Sequence, residues 1–364
     1  MMRPHQRLIQ HSSVLTRCSH FRLALPVAFS SLIVFSSALG VDQAHSARRY
    51  EYSIERMGTR VRIVLYAQDR LAGEGAANAA FERIEELEQA LSDYREESEL
   101  NWLSREAVNR PQGVSPELFY VLEQAQKYSR LSGGGFDISI GPLVRLWREA
   151  RRNHRLPTAA EIAEARGLVD YRNLELDAPT HTVMLKRPGM QFDLGGIAKG
   201  YAADQAIEVL RARGIRAALI ALGGDIRVTG TPPGVRGWKI DIENPDPHGR
   251  APLCSVMLKD GAISTSGDTH QFLEAGGQRY SHIIQPASGV GLSAAAGTTV
   301  MARDGISADA LATALSVMPT DGGLKLIESV EGASAFLIRR TANGFEYFRS
   351  RRFPRGCGEI SSKE

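Results

Sequence analysis

Apolar and polar positions alternate with a period of two over residues 60–67, where Val61, Ile63 and Leu65 fall on one side. That is the pattern of a strand with one buried face. Residues 50–53 form a shorter strand before it. From 69 to 92 the period becomes helical, with Leu71, Ala77, Phe81, Ile84, Leu87 and Leu91 on one side. Shorter helices are predicted at 100–107, capped by Ser98 or Glu99, and from Ser115 to about Leu131, stopped by Ser132-Gly-Gly-Gly135. Others follow at 141–150 and 158–167. The second half is richer in strands: a hairpin at 174–177 and 182–186, then 217–222, 226–230, 238–243, 254–258, 261–266, 281–284 and 298–302. Helices at 308–318 and 322–330 precede a closing hairpin, 335–339 and 345–349, turned by Ala342-Asn-Gly344. No internal repeat or long linker interrupts the series. The pattern predicts one large mixed α/β (α+β) domain with largely antiparallel sheets and flanking helices. It spans 48–353, between a leader at 1–47 and a polar, frayed tail at 354–364.

Composition adds two constraints. The chain has 364 residues, 43% hydrophobic and 23% charged, which supports a large core. The net charge is +3, and the leader accounts for it through Arg3, Arg7, Arg17 and Arg22 against Asp42. The rest is close to neutral, so no basic face for nucleic acid is expected. The leader itself reads as an export signal. It is basic and free of acids to residue 22, apolar from 23 to 40, and offers small-residue cleavage sites at Ala38/Gly40 and Ala44/Ser46. An uncleaved membrane anchor is the competing reading, weakened by Pro26 and four serines. Export places the protein in the periplasm or on the outer face of the inner membrane, with membrane contact only through an uncleaved leader. Cys254 and Cys357 could form one disulfide, and their spacing gives no metal signature.

The chemistry concentrates at residues 193–204, Asp-Leu-Gly-Gly-Ile-Ala-Lys-Gly-Tyr-Ala-Ala-Asp. Strand, paired-glycine turn and helix form a layout that aims backbone N–H groups at an anion. The glycine spacing fits neither a dinucleotide fingerprint nor a P-loop. Taken alone, the segment reads equally well as a tight turn into a packed helix.

Other segments line up with it in order: Met57-Gly-Thr59, Leu91-Ser-Asp-Tyr94, Glu97-Ser-Glu-Leu-Asn101, Ser132-Gly-Gly-Gly-Phe-Asp137, Gly141-Pro-Leu-Val-Arg-Leu-Trp147, Gly223-Gly-Asp-Ile226, Ser264-Thr-Ser-Gly-Asp268, His282-Ile-Ile-Gln-Pro286 and Ala308-Asp-Ala-Leu-Ala-Thr-Ala314. Together, over roughly residues 50–350, they resemble the ApbE family of FAD:protein FMN transferases. The resemblance implies a T-fold-like architecture and a phosphoryl transfer. FAD is split at its pyrophosphate, FMN is attached to a threonine of a partner flavoprotein, such as a subunit or domain of an electron-transfer complex, and AMP leaves. It implies Mg²⁺ held by Asp309 and Thr313, with Ala312 and Gly196 adding carbonyl or turn contacts. Asp309 and Thr313 share a helix face, and hard oxygen ligands suit Mg²⁺. For a helix beginning at 308, Asp309 also fits an N-terminal cap.

The resemblance assigns flavin contacts to Met57, Tyr94, Gly135, Phe136, Asp137, Asp193, Lys199 and Ile283. Phe136 also fits a core position contributing only its backbone, and Asp137 a cap before Gly141. The base implied is His282. The family pattern there is His-x-x-Asp-Pro, whereas this chain carries Gln285, which can orient an imidazole but cannot take its proton. Ala221 stands where relatives often carry Asn. The hydroxyls at 264–266 read either as phosphate or adenine contacts or as a turn. Two further outcomes stay open: an FAD pyrophosphatase giving FMN and AMP, and a non-catalytic FAD-binding protein.

Overall fold

The structure is a computed structural model and describes residues 47–245, 251–267, 272–275, 277–293, 295–342 and 344–357. The expected signal, Asp268, Asn343 and the last seven residues of the tail lie outside the described residues. Eight strands form the main sheet: β1 (Arg48–Arg56), β2 (Thr59–Ala67), β3 (Ala218–Leu222), β4 (Asp225–Thr229), β5 (Gly261–Ser266), β6 (Ala295–Ala302), β7 (Ser334–Thr341) and β8 (Gly344–Arg349). They lie side by side in chain order, and every neighbouring pair is antiparallel.

Eight helices are carried in the connections: α1 (Arg70–Leu91), α2 (Glu99–Glu106), α3 (Pro116–Leu131), α4 (Gly141–Arg152), α5 (Ala159–Arg166), α6 (Ala198–Ala212), α7 (Gly305–Val317) and α8 (Thr320–Ser329). The first six fall between β2 and β3, and the last two between β6 and β7. Side-chain caps fix several starts. Ser98 accepts from the Asn101 N–H, Ser115 from Leu118, and Thr158 with Glu161 forms a reciprocal capping box.

The period-two pattern sorts the sheet's side chains into two cores. Val61, Ile63, Leu65, Ala218, Ile220, Leu222, Ala335 and Leu337 face α1, α6 and α7. Val64, Leu219, Val228, Ile263, Phe336 and Ile338 face the other way, covered by Trp238, Ile240 and Val256 of the hairpin Trp238–Ile242/Cys254–Leu258 and by Phe353. A third cluster joins Leu143, Trp147 and Ala150 of α4 to Leu273 and Ile284. The C-terminal segment is tied down as far as Cys357, which is buried and forms a disulfide with Cys254. Residues 354–357, expected in the tail, are therefore held against the domain.

Two departures from the sequence expectation bear on the site. The helix expected at 308 begins at Gly305, because its caps are a near and a distant carboxylate. Asp304 accepts from the Ser307 N–H, and Asp204 of α6 accepts from the N–H groups of Gly305 and Ile306 at 2.8 and 2.9 Å. Asp309 thus sits in the second turn and does not cap α7. The strand expected at 281–284 is two strands. Gln278–Ser281 pairs with Phe272–Ala275, and Ile284–Gln285 pairs with Val290–Gly291. Ser281 Oγ accepts from the Ile283 N–H at 3.0 Å and turns the chain between them.

Strict antiparallel order decides where the connections emerge. The β1–β2 turn, the β3–β4 turn and the β5–β6 connection all leave one end of the sheet. Met57, Asp225 and His282 lie in or beside those three connections, although more than 200 residues separate the first from the last.

Candidate active site

Helices α6 and α7 cross at glycine. A Cβ on Gly200 would lie 2.1 Å from the Gly305 carbonyl oxygen, and one on Gly305 would lie 2.3 Å from that of Gly200. Only bare backbone permits this approach. The crossing puts Asp309 against the start of α6, where its Oδ2 accepts from the Gly200 N–H at 3.1 Å. One turn further along α7, Thr313 meets the paired-glycine turn. A Cβ on Gly196 would stand 2.6 Å from Thr313 Oγ1. Residues 196, 200, 309 and 313 therefore converge. The Ala312 carbonyl lies on the same helix between them and accepts from Ser316 Oγ at 2.8 Å.

The turn is preformed. Asp193 Oδ1 accepts from the Gly195 N–H at 2.7 Å. Lys199 Nζ donates to the Gly195 carbonyl at 2.6 Å and lies 3.5 Å from Asp225 Oδ2. Asp225 is itself buried and accepts from Ser264 Oγ at 2.6 Å. The Ser264 hydroxyl thus orients a carboxylate, a duty the residue pattern alone left undecided. Burial pushes the Asp309 carboxyl up to about 7, with the nearby Asp225 charge adding to the shift and Lys199 opposing it. Burial also works against the Lys199 ammonium, but Asp309 and Asp225 outweigh it and hold its pKa above the usual lysine value. The site is a fixed lysine among buried carboxylates.

A second group of charges lies beside the turn; it joins the expected Asp193 to Asp93 and Arg148, which the sequence does not single out as site residues. Arg148 of α4 donates to Asp93 Oδ2 at 2.5 Å and to Asp193 Oδ2 at 3.0 Å, and its guanidinium lies 4.0 Å from the Tyr94 ring centroid. Tyr94 is 74% exposed. Burial, then the Asp193 charge, lifts the Asp93 carboxyl to about 6 against the pull of Arg148. Asn101 holds the same loop through hydrogen bonds from its side-chain amide to the carbonyls of Ser92, Asp93 and Arg95.

The remaining expected residues divide. Gly135 packs against Met318 just beyond α7, where a Cβ would come within 3.0 Å of that side chain. Phe136 turns into the core, and its N–H donates to Ser132 Oγ at 2.9 Å. Asp137 is also directed inward. Its carboxylate accepts from the Ser139 N–H and hydroxyl and from the Tyr171 N–H, which staples the loop after α3. In this structure the Phe136 side chain packs in the core and the Asp137 carboxylate is engaged by three protein donors. Met57 occupies the β1–β2 turn with φ 51° and packs against the main core. His282 and Ile283 sit between two short strands that Trp147 anchors, its indole N–H donating to the Gly289 carbonyl at 2.8 Å. A cleft of about 480 Å³ lined by Gln285, Leu292, Ser316, Met318 and Arg339 joins this region to the end of α7. Among the described residues no group of three or more His, Cys, Asp or Glu could hold a metal. A cation seated here would rely on one carboxylate, a hydroxyl and backbone oxygens, with ligands from the substrate completing its shell.

The fold is shared with known proteins. The ApbE family model matches residues 57–337, and the chain belongs to the ApbE family. It is 32% identical over 294 residues to a FAD:protein FMN transferase of Klebsiella pneumoniae, covering 80% of this chain and 90% of that protein. A FAD:protein FMN transferase of Treponema pallidum is 33% identical over 309 residues, covering 80% and 85% respectively. The flavin transferase ApbE from Vibrio cholerae superposes with a TM-score of 0.77 at 30% identity, over 84% of this chain and 98% of that one. The ApbE protein from Thermotoga maritima gives 0.76 at 31% identity with the same coverage. The chain is thus an enzyme of the transferase class, with the single-domain mixed α/β fold of its relatives.

Proposed function

We propose that this protein is an exported, Mg²⁺-dependent FAD:protein FMN transferase. It would move the FMN half of FAD onto a threonine of a partner flavoprotein, in an electron-transfer complex, and release AMP. The observation that carries this reading is the convergence of Asp309 and Thr313 with the turn at 193–200, beside the cation of Lys199. A hard divalent ion fits the oxygen donors of Asp309, Thr313 and the neighbouring backbone. When bound, it would neutralise charge on the pyrophosphate. Lys199 adds a fixed positive charge, and the N–H groups opening α6 add a favourable dipole for phosphate. In the transfer, the threonine oxygen bonds to the FMN phosphorus as the bond to the AMP oxygen breaks, and the hydroxyl proton passes to a base. His282 is the base favoured here, since Gln285 cannot accept a proton. Tyr94, Met57 and Ile283 would contact the flavin.

Export is supported by the leader and by the Cys254–Cys357 bridge, which suits an oxidising compartment. Among the described residues no helix is long and apolar enough to cross a membrane, so membrane contact would run through an uncleaved leader. Gln285 also favours keeping one second reading, hydrolysis of FAD to FMN and AMP with water as acceptor. Incubation with FAD and Mg²⁺, with and without a threonine-bearing acceptor flavoprotein, separates the two. AMP release together with flavin covalently bound to the acceptor is expected. AMP release that ignores the acceptor would mean hydrolysis, and FAD binding with no AMP would mean a binding protein. Asp309→Ala should abolish turnover, and undiminished AMP release would overturn the metal assignment.

A further inference from the structure

We propose that Arg148 is a positioning residue for the flavin site, fixing Tyr94 and the Asp193 turn in one arrangement before FAD arrives. This inference rests on the functional reading above. Arg148 is supplied by α4, whereas its partners come from two other segments, the loop after α1 and the turn before α6. Its side chain is 24% exposed, and those of Asp93 and Asp193 are 14% and 12% exposed. One guanidinium edge faces both carboxylates, and its central carbon lies over the Tyr94 ring. Only a planar, forked cation performs both tasks at once; a lysine ammonium is a point charge on a flexible stem.

The geometry has two consequences. Without the guanidinium, Asp93 and Asp193 would be close, mostly buried like charges, and the loop and turn would be driven apart. With it, Tyr94 is held from behind while its outer side remains open to solvent. That is the form of a platform for a flat aromatic ring. Asn101 fixes the same loop independently, through the Ser92, Asp93 and Arg95 carbonyls. Tyr94 is therefore exposed yet anchored, which reduces the ordering cost of stacking a ligand on it. Arg148 itself is shielded from that outer side by the tyrosine, so it acts through Tyr94 and Asp193.

The test is a double-mutant cycle on FAD binding, read by flavin fluorescence in the full-length protein, with turnover measured in parallel. Arg148→Met should weaken FAD binding about tenfold, the scale of a partly desolvated cation–π contact. It should raise KM for FAD more than it lowers kcat. Arg148→Lys should recover only part of the loss. Tyr94→Ala should weaken binding as well, and combining it with Arg148→Met should cost clearly less than the two losses multiplied. Thermal melting of each variant separates a collapsed fold from a displaced platform. If Arg148→Met destabilises the protein, Asp93→Asn combined with it removes the charge conflict. That pair should regain melting temperature while FAD binding stays weak. Multiplicative losses in the cycle, or a folded Arg148→Met that binds FAD as wild type does, would overturn the positioning role and leave the transferase reading intact. A wild-type protein that binds no FAD would overturn both.

Discussion

Asp93 shows how far a single carboxyl can be displaced by its surroundings. Its folded pKa of about 6 lies above its ordinary value of 3.8 because burial and Asp193 disfavour the charge. The folded protein therefore holds this proton more tightly than the unfolded chain does. Its contribution to stability is present below about pH 4 and is lost as pH rises through about 6. Melting temperatures of wild type and Asp93→Asn, compared across that interval, should show wild type declining relative to the variant; parallel curves would contradict the assignment. Gln285 gives the residue-scale prediction for chemistry. Gln285→Asp should raise the transfer rate by placing a proton acceptor three residues from His282, and an unchanged or lower rate would show that the amide is no handicap.

Among the elements, the crossing of α6 and α7 matters most, because the site exists only where the two helices touch backbone to backbone. Gly200→Ala puts a methyl group where 2.1 Å separates it from the Gly305 carbonyl oxygen. Denaturant unfolding should show a loss of about 1–3 kcal/mol or more, and turnover should fall with it as Asp309 is pushed from the turn. An unfolding midpoint equal to wild type would mean that the helices can separate freely. The elements themselves were largely legible in the sequence, since periodicity and caps are local. The hairpin at 174–185 and helices α1, α3 and α5 fall where the pattern puts them, within a residue or so at most boundaries. The start of α7 was missed because its second cap, Asp204, lies 101 residues away from Gly305. The split at Ser281 was missed because one hydroxyl turns an otherwise strand-like run. The site followed the same division. The turn at 193–200 and the Asp309–Thr313 pair are contiguous motifs and could be read. Asp93 and Arg148 carry meaning only through partners 45 and 55 residues apart. Phe136 and Asp137 belong to a readable motif, but their inward direction is set by Ser132, Ser139 and Tyr171.

At the scale of the whole molecule, the disulfide closes a loop spanning 103 residues, between the hairpin that covers one sheet face and the last described segment. By the chain-entropy account, removing a link of that span costs about 4–5 kcal/mol. Cys254→Ser with Cys357→Ser should lower the unfolding midpoint accordingly while leaving the FAD affinity of the folded protein unchanged. Equal midpoints with and without reductant would show that the bridge adds nothing. Strand order also separates the molecule into a working end and an idle one. The stretch between β4 and the hairpin at Trp238 leaves the sheet opposite Met57, Asp225 and the β5–β6 connection. At Gly234 in that stretch, a side chain would meet nothing within 4 Å. A fluorescent reporter or an immobilising tag spliced in there should ride on the enzyme without disturbing its catalysis, whereas the same cargo at Gly58 would sit beside Met57, a proposed flavin contact.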